Sequence, residues 1–172
     1  MSNAWPKLEK GAGILRSVSA GWKNFGVATT RSPWRLAQSK VPSPAQVLLV
    51  DGLERRDLGR LAQKARGLDL IVGLGSGVAM DAAKFLAKVT GAPLAQVLST
   101  SSNNACFTRT AWTFDNGARI PEREAPIPLQ LVLDTDLLAA APARMNRDEN
   151  PCNRPAGVTD AAIKNNGALK GD

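Results

Sequence analysis

The chain of 172 residues contains no histidine. Metal chemistry that relies on imidazole ligands therefore has no donor in this sequence, and a catalytic zinc site normally takes three protein ligands and leaves one position open. Cysteine is almost as scarce. Cys106 and Cys152 are the only two, too few to define a disulfide framework, and both are expected to be free thiols. No apolar run approaches the roughly 18 residues that span a bilayer, and no apolar core of a secretory signal stands near the N-terminus. These absences exclude a helical membrane protein and favour the cytoplasm. Internal repeats and low-complexity tracts are missing too, which removes solenoids and fibrous chains.

What is present has the balance of an ordinary globular domain, with 44% hydrophobic and 22% charged residues. A chain near 150 residues buries roughly 68–70% of its unfolded surface, so one domain with a full core is expected. Ser2-Asn3-Ala4 reads as the remnant of a cleaved tag, and the folded unit is taken to begin at residue 5. The net charge of +7 is uneven, because residues 1–66 carry 12 Lys and Arg against 4 Asp and Glu. Such a segment attracts nucleic acid or a phosphorylated small molecule, or serves as a solvated face. The interleaving of aromatic and basic residues typical of RNA-binding sheets is missing, which sets nucleic acid aside.

Short apolar runs alternate with stretches of helical periodicity. Phe25 to Thr29, Val47 to Val50, Leu68 to Val72, Leu94 to Leu98 and Leu129 to Leu133 read as strands. Between the second and third, Leu53, Leu58, Leu61, Ala62 and Ala65 recur at helical spacing while Arg55, Arg56, Arg60, Lys64 and Arg66 lie largely off that face. Nearly all-apolar strands joined by helices predict an α/β fold, a doubly wound and mainly parallel sheet with right-handed crossovers and ligands at the C-terminal strand ends. Asp115-Asn116-Gly117, flanked by Thr108 to Phe114 and a segment near Arg119, predicts a β-hairpin.

Two segments bear on chemistry. Asp69 to Gly77 runs from an apolar strand into the turn Gly73-Leu74-Gly75-Ser76-Gly77, and Val78 to Lys88 continues with helical periodicity. Glycines allow backbone N–H groups to approach an anion, and the start of a helix adds unpaired donors and partial positive charge. The turn is neither a G-x-G-x-x-G fingerprint nor a P-loop, since Val78 stands where the third glycine would be. A tight strand-to-helix turn without a ligand is the plain alternative. Asp81 and Lys84 share a face of the helix, as a surface ion pair or near the phosphate. Further on, Ser99-Thr100-Ser101-Ser102-Asn103-Asn104 places hydroxyls and amides at a strand's C-terminal end, suited to a ribose or an amide, or to capping a helix or turn.

The run from Gly73 to Lys84 resembles the G-x-G-G-G-S-x-x-D-x-A-K motif of the glycerol dehydrogenase and glycerol-1-phosphate dehydrogenase group, within the iron-containing alcohol dehydrogenase and 3-dehydroquinate synthase-like superfamily. Leu98 to Ala105 resembles that group's P-T-x-x-S-x-D-A loop. Leu133 to Arg144 resembles the segment ending in A-P-x-R that leads into its helical domain. Ala156-Gly157-Val158-Thr159-Asp160 is similar to its A-G-x-G-D. The resemblance implies a Rossmann-like NAD(P)-binding domain over residues 5–147. Residues 148–172 would then form a loop and the start of the helical metal-binding domain, most of which is absent.

By position in these motifs, Gly75, Ser76, Gly77, Val78, Ala79, Asp81, Lys84, Ser99, Thr100, Ser102 and Thr108 are implied to bind NAD or NADP. Asn104 and Asp160 are implied to meet the substrate, and Asp160 a zinc or iron ion. Ser76 and Val78 replace a glycine and a serine of the motif, and Asn104 replaces an aspartate, exchanging a carboxylate for an amide. The implied activity is that of an NAD(P)-dependent oxidoreductase acting on glycerol, a glycerol phosphate or a similar polyol, with a homo-oligomer possible. This chain alone would be inactive because its metal site is incomplete. The alternatives are a 3-dehydroquinate synthase-like lyase and a non-catalytic nucleotide-binding module. Thr29-Thr30-Arg31-Ser32, at the end of what reads as the first strand, offers an arginine where dehydrogenases preferring NAD often place an acid, so NADP tolerance is expected.

Overall fold

The computed structural model describes residues 6–100 and 105–142. Six strands form one parallel sheet: β1 (Lys7–Gly11), β2 (Phe25–Thr29), β3 (Gln46–Leu49), β4 (Leu70–Gly75), β5 (Leu94–Leu98) and β8 (Gln130–Asp134). They lie in the order β1-β8-β5-β4-β2-β3. The hairpin β6 (Ala111–Asp115) and β7 (Ala118–Glu122) forms a separate antiparallel pair. Its turn places Asn116 at φ 51° and Gly117 at φ 79°, the two positive angles that an Asn-Gly turn between strands requires.

Alternation along each strand sends side chains to two cores. Ala28, Leu48 and Ile71 join Leu58 and Ala62 of α3 (Arg55–Lys64) and Ala83 and Leu86 of α4 (Gly77–Thr90). Phe25, Val27, Val72, Leu74 and Val97 point the other way. They pack with Leu15 of α1 (Ile14–Ser19), Ala37 of α2 (Arg31–Ala37) and Leu137 of α5 (Thr135–Ala139). Connections that run toward the β3 edge, through α1 and α2, lie on one face. Those that run the opposite way, through α3, α4 and the hairpin, lie on the other, as a single hand of crossover demands.

Helix α4 is the centre of the molecule because sheet and hairpin cover it from two sides. Its residues Ala79, Met80, Asp81, Ala82, Ala83, Lys84, Leu86 and Ala87 are all buried. Its seat is close: a Cβ on Gly73 would stand 2.7 Å from the Ala83 Cβ, inside any normal contact. At the far end of the sheet the buried Asp134 carboxylate accepts from the N–H groups of Asp136 and Leu137, capping α5, and from Leu15, holding the start of α1. No helix among the described residues is long and apolar enough to cross a membrane.

The structure shifts three expectations. Phe25–Thr29 is the second strand, because Lys7–Gly11 pairs with β8 at the edge of the sheet; its Lys7, Glu9 and Lys10 carry no apolar alternation. Strand β4 extends to Gly75, where the expected strand stopped at Val72, since the glycines continue the ladder beside β5. The first hairpin strand begins at Ala111 and not at Thr108, because residues 105–107 form a 3-10 turn.

Candidate functional site

The chain leaves β2 toward β3 and leaves β4 toward β5, so the sheet's winding reverses between the C-terminal ends of β2 and β4. Open α/β sheets bind ligands in the crevice at such a point. Here Thr29, Thr30 and Arg31 end one strand and Gly75-Ser76-Gly77 ends the other. Gly75 has φ +148°, and a Cβ there would lie 2.9 Å from the Ala79 Cβ and 3.6 Å from Pro33 Cγ at the start of α2. Only a glycine lets strand, turn and helix approach this closely.

Ser76 is the N-cap of α4 but makes no side-chain capping bond, and the first turn holds no acidic residue. The N–H groups of Gly77, Val78 and Ala79 have no acceptor within the helix, and the helix dipole leaves this end partly positive. Ser76 and Gly77 are half-buried and Val78 is exposed, so the turn opens to the crevice. Its donors fit a phosphate or pyrophosphate. The Ser99 N–H donates to the Gly75 carbonyl at 3.0 Å, which brings Ser99 and Thr100, both buried, beside the glycine turn. The two sequence segments singled out for chemistry therefore meet.

Asp81, Lys84 and Thr108 come together elsewhere, between α4 and the loop entering the hairpin. Lys84 is fully buried, which corrects the alternative of a surface ion pair. Its Nζ lies 3.6 Å from Asp81 Oδ1 and donates to Thr108 Oγ1 and to the Thr110 carbonyl, both at 3.0 Å. Burial pushes the Asp81 carboxyl up and the Lys84 ammonium down, each opposed by its partner's charge. The Trp112 backbone also bonds Asp81, and Arg119 stacks over the Trp112 ring at 3.6 Å.

A second polar cluster, which the sequence did not single out, fastens the other side of the hairpin. Glu122, nearly buried, takes Arg55 Nε at 2.9 Å, Lys88 Nζ at 3.4 Å and the Thr113 hydroxyl at 3.2 Å. Burial raises the Glu122 carboxyl, but the bonds from Arg55 and Lys88 outweigh it and hold the group below its ordinary 4.5. A carboxylate so depressed stabilises the fold above about pH 4.5 and loses that contribution as pH falls through its folded value. Glu122→Gln is expected to cost about 1–2 kcal/mol at neutral pH, with the difference from wild type closing toward pH 3 in urea unfolding.

A metal ion does not fit the described residues. No three His, Cys, Asp or Glu side chains among them group as a metal site. Cys106 is free, and burial pushes its thiol up to about 12, which keeps it protonated. Ser102, Asn104, Asp160 and Cys152 lie outside the described residues. Pro33 was not anticipated as part of the crevice, since its place against Gly75 follows from tertiary packing alone.

This arrangement can be set beside known proteins. Residues 35–142 match the family model described as iron-containing alcohol dehydrogenase. A glycerol-1-phosphate dehydrogenase, NAD(P)+, of Methanosarcina acetivorans is 28% identical over 104 residues, 59% of this chain and 29% of the relative. The structure of a probable glycerol dehydrogenase from Sinorhizobium meliloti 1021 is similar with a TM-score of 0.73 and 25% identity, over 84% of this chain and 44% of that one. Glycerol dehydrogenase from Schizosaccharomyces pombe shares the fold with a TM-score of 0.70 at 19% identity, over 84% and 41%. The chain thus spans under a third of the curated relative and under half of these two structures. With a family model matched across more than half its length, the chain belongs to the iron-containing alcohol dehydrogenase family.

Proposed function

We propose that the chain is the cofactor-binding part, residues 5–147, of an NAD(P)-dependent oxidoreductase that acts on glycerol, a glycerol phosphate or a similar small polyol, with residues 148–172 starting the metal-binding domain. The observation that carries this reading is the open glycine turn at the sheet's switch point, with the start of the hydroxyl-rich loop bonded to it through Ser99 and Gly75. The names of the relatives supply the polyol class. Gly75, Ser76, Gly77, Val78 and Ala79 would hold the pyrophosphate through backbone donors. The adenosine half would lie toward Thr29, Thr30 and Arg31, and the nicotinamide half toward Ser99, Thr100 and Ser102. When bound, the nicotinamide accepts or gives a hydride. Asn104 and Asp160 would meet the polyol, and Asp160 would be a ligand of the zinc or iron.

Arg31 decides the expected cofactor. A guanidinium pairs with the 2′-phosphate of NADP, where an acid would pair with the ribose hydroxyls of NAD. The prediction is tighter binding of NADPH than of NADH at equal salt, followed by tryptophan fluorescence with Trp34 of α2 as a nearby reporter. Arg31→Asp should reverse the preference by about tenfold or more, corresponding to at least one lost ion pair of roughly 1.4 kcal/mol. Equal affinity for both cofactors in the two proteins would remove the NADP assignment.

A second reading, a nucleotide-binding module without catalysis, is favoured by Asn104, whose amide cannot carry the charge of the carboxylate it replaces. In a dehydrogenase assay with glycerol or glycerol phosphate and added zinc, metal-dependent turnover excludes the module, whereas cofactor binding without turnover is expected of the cofactor-binding part and of the module alike.

A further inference from the structure

The hairpin does not close fully on the helices beside it. A cleft of about 740 Å³ remains between the start of α3, the second half of α4 and the hairpin, within the roughly 300–1,000 Å³ usual for small-molecule sites. Some of its charged groups are already matched, since Glu122 holds Arg55 at 2.6 Å and Lys88 at 3.4 Å. Two are not. Arg56 and Asp115 line the same cleft and are exposed, and neither forms an ion pair with another described residue. Asp115 accepts a bond from Asn116 Nδ2 at 3.2 Å through Oδ1. The cleft also has an apolar wall. Phe85 and Val89 stand one turn apart on a face of α4, Phe85 half-buried and Val89 56% exposed.

We propose that this cleft binds a free α-amino acid with an apolar side chain, its carboxylate on Arg56, its ammonium on Asp115 and its side chain against Phe85 and Val89. A simple anion would face the Asp115 carboxylate, and a simple cation would stand among Arg55, Arg56 and Lys88. A zwitterion answers both charges. The fork of Arg56 suits a carboxylate in two-bond contact, which fixes its orientation, and the ligand's apolar side chain covers surface that Phe85 and Val89 leave open to water. The site shares no residue with the crevice, so it stands whether or not the crevice holds a dinucleotide.

The test is an NMR titration of the isotopically labelled chain with three probes at one ionic strength: L-phenylalanine, phenylpropionate, which lacks the ammonium, and phenethylamine, which lacks the carboxylate. Saturable shifts at Arg56, Phe85, Val89 and Asp115 are expected with phenylalanine, and affinities about tenfold or more weaker for the other two. Arg56→Gln should weaken phenylalanine about tenfold without weakening phenethylamine, and Asp115→Asn should weaken it similarly without weakening phenylpropionate. Both substitutions are at exposed positions, and the amide spectrum checks that each variant is folded. The absence of saturable shifts in the cleft would overturn the assignment. So would phenylpropionate or phenethylamine binding as tightly as phenylalanine, or a phenylalanine affinity unchanged in either variant.

Discussion

Lys84→Met, made alone, is expected to lower the free energy of unfolding by about 3–5 kcal/mol, the usual cost of leaving one member of a buried ion pair without its partner. Asp81 would remain nearly buried beside an apolar side chain, keeping only its bond from the Trp112 backbone and the distant charge of Arg119. The double variant Asp81→Asn/Lys84→Met should recover much of the loss, giving a coupling energy of about 1–3 kcal/mol between the two sites. The pH dependence follows from the same charges. Burial already raises the Asp81 carboxyl, and removing Lys84 raises it further. A carboxyl raised above its unfolded value is stabilising below that value and loses this contribution as pH rises through its folded one. The deficit of Lys84→Met should therefore be largest at neutral pH and shrink in acid, in denaturant unfolding followed between pH 7 and pH 4.

Gly75→Val is expected to weaken NADH and NADPH binding by about a hundredfold or more, roughly 2.7 kcal/mol or beyond. Two costs act together. A φ of +148° is a conformation that branched side chains hardly adopt, worth about 1–3 kcal/mol. The new Cβ would stand 2.9 Å from Ala79, forcing the first turn of α4 away from the strand and moving the N–H groups that form the cradle. Gly67→Ala is the matched control. Gly67 also has a positive φ, of 77°, but a Cβ there meets nothing within 4 Å, so this change should lower stability modestly and leave cofactor affinity unaltered.

The parts of the fold that were legible in the sequence are those where one local rule acts alone. Phe25–Thr29 and Leu94–Leu98 lie in the parallel sheet with both faces covered, so every position except Gln96 is apolar or small and the strands announce themselves. Asn116-Gly117 specifies its hairpin turn because few other pairs accept two positive φ angles. β1 was hidden because an edge strand with Lys7, Glu9 and Lys10 shows no apolar face. The glycine turn was legible as a strand, turn and helix in sequence whose backbone N–H groups are left without helical acceptors. The partners of Lys84 and Glu122 were not, because Thr108, Thr110, Arg55 and Thr113 reach them through tertiary packing of the hairpin on α3 and α4. A motif position marked Lys84 as important, but only the packed structure shows its ammonium bonded to Thr108 and Thr110.

The proposed occupant of the crevice at the ends of β2, β4 and β5 is a nicotinamide dinucleotide. The most direct test of that assignment is an NMR titration of the isotopically labelled chain with NADPH, following backbone amide shifts residue by residue. Saturable shifts are expected to concentrate at Gly75, Ser76, Gly77, Val78 and Ala79, with further shifts at Arg31, Ser99 and Thr100, and little change in the hairpin turn at Asn116 and Gly117. Shifts absent from the glycine turn at saturating NADPH, or confined to the hairpin and α3, would contradict it.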